Sequence, residues 1–144
     1  MTIAAVLAGK SRDVATIGQE ATLADAAAEL TRRKIGALVV VDPAGEAIGV
    51  LSERDIVTCL ARHGDSQLGT RRVADAMTSP AITVLPTDGA LGALALMTRR
   101  RIRHLPVLEN GRLAGLVSIG DLVKYRIDHI EREADAMRQY IQSA

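Results

Sequence analysis

The chain predicts a mixed α/β (α+β) fold, two β-α-β-β-α repeats packed with pseudo-two-fold symmetry. Three observations predict it: internal self-similarity at a fixed shift, one continuous apolar strand per copy, and the same strand-to-helix junction closing each copy. Laying residues 14–42 over 81–109 aligns Thr16 with Thr83, Ala26 with Ala93, Ala28 with Ala95, and Thr31-Arg32-Arg33 with Thr98-Arg99-Arg100. Ile35, Leu38 and Val40 fall on Ile102, Leu105 and Val107. One residue drops out at a turn, after which 45–57 matches 111–123, with Gly49, Ser52 and Asp55 on Gly115, Ser118 and Asp121. Identity at 14 of 42 aligned positions marks a duplicated structural unit.

Each copy opens with a short strand, Ala15–Ile17 or Ile82–Leu85. Polar, Pro or Gly residues lead into a helix over Leu23–Lys34 or Ala90–Arg101, where Ala26/Leu30 and Ala93/Met97 share the inner face at i, i+4. The runs Arg32-Arg33-Lys34 and Arg99-Arg100-Arg101 suit the negative helix end, at about 0.3–1 kcal/mol per cation. A nucleic-acid patch is the competing reading, but no aromatics interleave to stack bases. The next strands, Ala37–Val41 and His104–Leu108, read as buried on both faces. Turn residues follow (Asp42-Pro43-Ala44-Gly45; Glu109-Asn110-Gly111), then return strands Ala47–Leu51 and Leu113–Val117. A second helix starts near Ser52 or Ser118. A unit of this size buries too little alone, so the two share one pseudo-symmetric domain. The boundaries read as repeat 1 at 1–64, linker 65–72, repeat 2 at 73–127 and a helical extension at 128–144.

Composition bounds the function. Apolar residues are 48% of the chain, with no Phe or Trp and two Tyr, so the core is aliphatic. Eighteen basic against 17 acidic residues leave +1, which gives no field for nucleic acid or an anionic membrane. Cys59 is the single cysteine and fits a reducing compartment. Met1–Lys10 lacks the pattern of a signal peptide, and no apolar run is long enough to span a bilayer, so the expected location is the cytoplasm.

At the junctions, Gly49-Val50-Leu51-Ser52-Glu53-Arg54-Asp55 and Gly115-Leu116-Val117-Ser118-Ile119-Gly120-Asp121 resemble the signature of cystathionine-β-synthase (CBS) domains. Arg101–Val107 resembles that family's second strand, and Val73–Met77 its lead-in. The resemblance covers about residues 1–127. Ser-x-x-Asp is first a helix start, Ser at the N-cap and the acid near the positive helix end. The resemblance implies a second role, in which the Asp holds both ribose hydroxyls of an adenosine ligand. Each such charge-assisted bond is worth roughly 1.5–3 kcal/mol.

By that resemblance the main site uses Asp121 and Ser118, with Thr16 from the opposite repeat and adenine clasped by aliphatic neighbours. Arg103 and His104 stand where the other copy has Gly36 and Ala37, and in the family this step contacts phosphate; Arg offers a fork suited to phosphate oxygens. The competing reading leaves Arg103 in water and His104 on a rim. The mirror site would use Thr83, Ser52 and Asp55, with Arg54 supplying charge. The implied ligands are AMP, ADP, ATP or NAD(H), with S-adenosylmethionine behind them.

Other signals carry less. Gly9-Lys10-Ser11 ends like a phosphate-binding loop but lacks the upstream Gly. No G-x-G-x-x-G occurs. His63, His104 and His129 lack metal-ligand spacing, so no metal is expected, and no catalytic constellation stands out. Cys59 reads as packing. The helical pattern runs to Gln142, with Val123, Ile127, Ile130, Ala134, Met137 and Ile141 at 4-3-4-3-4 spacing. That stripe must be covered, by its own repeat or by a second chain, and a two-fold homodimer is expected. The chain therefore reads as a non-enzymatic nucleotide sensor acting on a separate protein; the alternative is a ligand-independent scaffold of the same fold.

Overall fold

The structure is a computed structural model that describes residues 1–10 and 13–143. Ser11, the last residue of Gly9-Lys10-Ser11, lies outside the described residues. The first repeat consists of β1 (Thr16–Gly18), α2 (Leu23–Arg33), β2 (Ala37–Val41), β3 (Ala47–Ser52) and α3 (Glu53–His63). A helix α1 (Ile3–Ala8) precedes it, and α4 (Val73–Ala76) follows it after a 3-10 turn. The second repeat supplies α5 (Ala90–Arg100), β4 (His104–Glu109), β5 (Arg112–Ser118) and α6 (Ile119–Ser143). The order β-α-β-β-α holds in repeat 1, with β1 parallel to β2 and β2 antiparallel to β3.

Repeat 2 departs from the expectation at its first strand. Instead of a strand over Ile82–Leu85, a single parallel bridge joins Val84 to Val107. The cause is one imino acid. In repeat 1 the N–H of Val39 donates to the Ala15 carbonyl at 3.0 Å. The position matching Val39 is Pro106, which has no N–H to give. Pairing survives one step on, where Val84 N–H donates to Pro106 O and Leu108 N–H to Val84 O.

The first helix of each repeat ends one residue earlier than expected, for one local reason. Lys34 and Arg101 both take left-handed φ, 55° and 53°. The next residue then closes the helix end, with Ile35 N–H on Leu30 O and Ile102 N–H on Met97 O. This turn delivers residues 101–104 to the face where the repeats meet.

Two aliphatic cores form, and each contains the short helix that precedes the other repeat. Ile3 and Val6 of α1 pack with Val84, Ala93, Met97, Leu105, Val107, Val117 and Leu122 of repeat 2. Val73, opening α4, packs with Leu23, Ala26, Leu30, Leu38, Val40 and Leu51 of repeat 1, with Ala76 and Met77 against the edge. Cys59 is buried in this core. The segments preceding the two repeats are thus exchanged, and sequence boundaries at 1–64 and 73–127 cut across both cores.

The exchange explains the glycine at each junction. A Cβ on Gly49 would stand 2.8 Å from the Thr78 carbonyl oxygen and 2.9 Å from Met77 Sδ. A Cβ on Gly115 would meet Leu7 Cδ1 at 2.9 Å. Each glycine lets the exchanged segment pass close to the sheet. Beyond Gly49 that segment pairs with β3, Val50 and Thr78 exchanging both backbone hydrogen bonds.

Candidate functional site

Both junctions fold as helix caps. Ser52 donates its N–H (2.8 Å) and its hydroxyl (3.2 Å) to Asp55 Oδ2. Ser118 N–H donates to Asp121 Oδ2 at 2.9 Å, and Asp121 N–H to Ser118 Oγ at 3.1 Å. The structural role of Ser-x-x-Asp is therefore met in both copies. Among the described residues the bonds to Asp55 and to Asp121 all fall on Oδ2, which leaves Oδ1 able to accept in both.

The repeats also pin each other's junctions: Glu53 N–H donates to Gly36 O and Ile119 N–H to Arg103 O, at pseudo-equivalent places. Two clefts flank this contact. The first, of about 170 Å³, joins Ser52, Glu53, Arg54 and Asp55 of repeat 1 to Arg101, Arg103 and His104 of repeat 2. Its apolar walls are Val50, Ile82 and Ile102. The second, of about 440 Å³, is lined by Leu116 and Ser118 opposite Lys10, Val14, Ala15 and Ile35, with Gly36, Ala37, Arg33 and His104 alongside.

The predicted site residues are thus distributed unevenly. Ser52, Arg54 and Asp55 share one cleft with Arg103 and His104. Ser118 lies in the other, which His104 also borders and Arg103 does not. Thr16, Thr83 and Asp121 are not among the described residues lining either cleft; Ala15 and Ile82, beside the two threonines, and Ser118, which caps with Asp121, are. Strand alternation explains Thr16, which is exposed beside buried Ala15.

Charge separates the clefts further. Lys10 Nζ sits 2.5 Å from Asp121 Oδ2 and donates to Leu116 O at 2.8 Å. Burial would raise the Asp121 carboxyl, but Lys10 and the Ser118 backbone N–H outweigh it and hold it below the usual carboxylate value. His104 is held below the ordinary imidazole value near 6.5, first by burial and then by Lys10; Asp121 and Glu53 oppose this, and Arg103 adds to it. A neutral His104 at pH 7 still has one ring N–H to donate.

Sequence reasoning missed Lys10, Arg101 and Gly36 as cleft residues. The signal for Lys10 was available: 3–10 laid over 73–80 puts Ile3 on Val73, Leu7 on Met77 and Lys10 on Pro80.

The family model for the CBS domain matches residues 7–62 and again 73–128. The chain belongs to the CBS-domain family. A CBS-domain containing protein of Agrobacterium tumefaciens has the same fold at TM-score 0.83 and 41% identity, over 87% of this chain and 92% of that one. A mitochondrial CBS domain-containing protein of Arabidopsis thaliana is 38% identical over 84% of this CBS pair, which spans 60% of that relative's length. A CBS domain protein of Pyrobaculum aerophilum, solved complexed with AMP, matches at TM-score 0.74 and 31% identity, over 84% of this chain and 89% of its own. Among the described residues no cluster of His, Cys, Asp or Glu suits a metal ion, and no helix is long and apolar enough to cross a membrane.

Proposed function

We propose that this CBS pair is a cytoplasmic, non-enzymatic regulatory module that binds a phosphorylated adenosine in the Asp55 cleft and reports its occupancy to a separate protein. One observation carries the reading: Asp55, bonded among the described residues only to Ser52 of its own cap and to no cation, shares one cleft with Arg101, Arg103 and the imidazole of His104. Asp55 takes the ribose diol. Arg103 and His104, helped by Arg54 or Arg101, take phosphate. Val50, Ile82 and Ile102 cover the adenine. The Pyrobaculum relative, solved complexed with AMP, supports the ligand class.

The cleft beside Ser118 is the roomier of the two, but affinity follows placed groups more than volume. Ser118 and Asp121 form a latent second site there, closed while Lys10 holds the carboxylate that a ribose needs. Ligand-dependent change in the angle between the repeats then requires only different affinities for two arrangements. The module acts as a two-fold homodimer, because the apolar stripe of α6 needs a cover.

A thermal melt with AMP, ADP, ATP, NAD, NADH and S-adenosylmethionine tests the reading. Ligand at about 100 times its dissociation constant stabilises by about 2.7 kcal/mol. A rise with at least one phosphorylated adenosine, lost in Asp55→Ala, is expected; no rise with any of them leaves the ligand-independent scaffold.

A further inference from the structure

We infer that the α6 tails of two copies of this chain pair in parallel and in register, as a short two-stranded coiled coil. The inference rests on the homodimer reading and is independent of the nucleotide. Residues 122 and 125 turn toward repeat 2, where Leu122 is buried in the core and Tyr125 packs against it. A different face carries Val123, Ile127, Ile130, Met137 and Ile141, all exposed; Ile130 is 48% and Ile141 66% accessible. From Glu131 to Ser143 every residue except Ala134 is exposed. A bare helical end of that length is unstable alone in water, and its large apolar side chains supply the surface for a partner.

The flanking charges identify the partner and its direction. With Ile127, Ala134 and Ile141 at a and Val123, Ile130 and Met137 at d, the e positions are Lys124, Glu131 and Arg138. The g positions are Arg126, Glu133 and Tyr140. A parallel pair sets each g against the e five residues on in the other helix. That brings Arg126 to Glu131 and Glu133 to Arg138, two attractive contacts that the two-fold repeats. An antiparallel pair with the same core overlap sets e against e and g against g. It would place Lys124 near Arg138, Glu131 near its own copy and Glu133 near its own copy, all repulsive. Among the described residues Glu133 pairs with His129 and Arg138 with Asp135 of the same helix, exposed pairs that cost little to exchange.

Cross-linking and charge reversal test the geometry on the full chain. In Met137→Cys the parallel register sets the two thiols face to face at d. The antiparallel overlap separates them by about 15 Å along the axis, beyond the ~7 Å reach of a disulfide. Sedimentation equilibrium should show a wild-type dimer, and mild oxidation of Met137→Cys a disulfide-linked one, with wild type, carrying only buried Cys59, as the control. Glu131→Arg should weaken the dimer at least tenfold, and adding Arg126→Glu should restore it. A monomeric wild type overturns this proposal and the homodimer reading together. A dimer that fails to cross-link, is not rescued by Arg126→Glu, or survives deletion of 131–144 overturns the parallel tail alone.

Discussion

Lys10 and Asp121 form an ion pair that stands in for a piece of β-sheet. In repeat 1 the Val50 carbonyl accepts from the backbone N–H of Thr78 at 2.9 Å. Its counterpart, Leu116 O, accepts from Lys10 Nζ at 2.8 Å, and the same ammonium reaches Asp121. One half of the molecule closes its sheet edge with backbone, the other with a side chain that also neutralises the Asp121 carboxylate.

On the proposed reading, Lys10 sets the stoichiometry. Calorimetric titration with AMP should give one site per wild-type chain and approach two in Lys10→Met, where Asp121 is released. Two sites in wild type would show that Lys10 yields freely to ligand.

Asp55→Ala should cost AMP at least 30-fold in affinity, from roughly 2 kcal/mol or more of lost charge-assisted bonding. The same change removes a helix cap, so stability falls by about 1 kcal/mol. 2′-Deoxy-AMP separates the two effects: it should bind wild type more weakly than AMP does, and bind the variant no worse than AMP.

A pH dependence follows from His104. Its folded value lies below the ordinary one, so the ligand-free fold takes up this proton less readily than the unfolded chain. The associated stability is present above about pH 6.5 and is lost as pH falls through the lowered folded value. Bound phosphate favours the protonated ring. AMP affinity should therefore rise from pH 8 to pH 6 with proton uptake, while adenosine binding stays flat and His104→Gln abolishes the slope. Equal slopes for AMP and adenosine would remove His104 from the phosphate site.

Alanine at the two junction glycines should have unequal effects. At Gly49 the new methyl meets a backbone carbonyl, and a loss of about 1–3 kcal/mol is expected. At Gly115 it meets the tip of Leu7, which can rotate, so denaturant melts should show a smaller loss.

The sequence made the repeats, their strands and the capped junctions legible because these are local: alternation, i, i+4 spacing and turn residues act within a few positions. Three features escaped that logic. The truncated first strand of repeat 2 depends on what Pro106 cannot donate some twenty residues downstream of the strand. Placing α1 in the second core joins Ile3 to Val84 and Val117, a separation that no local pattern records. The grouping of Arg103 with Asp55 follows from how the repeats face each other, which neither repeat states alone.

The crossed-over helices also predict how the protein would tolerate being cut. A chain nicked between His63 and Arg71 leaves α1 on the first fragment, though its berth is in the second, while α4 stays on the second and belongs in the first. Neither piece holds everything its own interior requires. Mixed together, the pieces can mend each other, so the severed molecule should reassemble where either portion by itself would not.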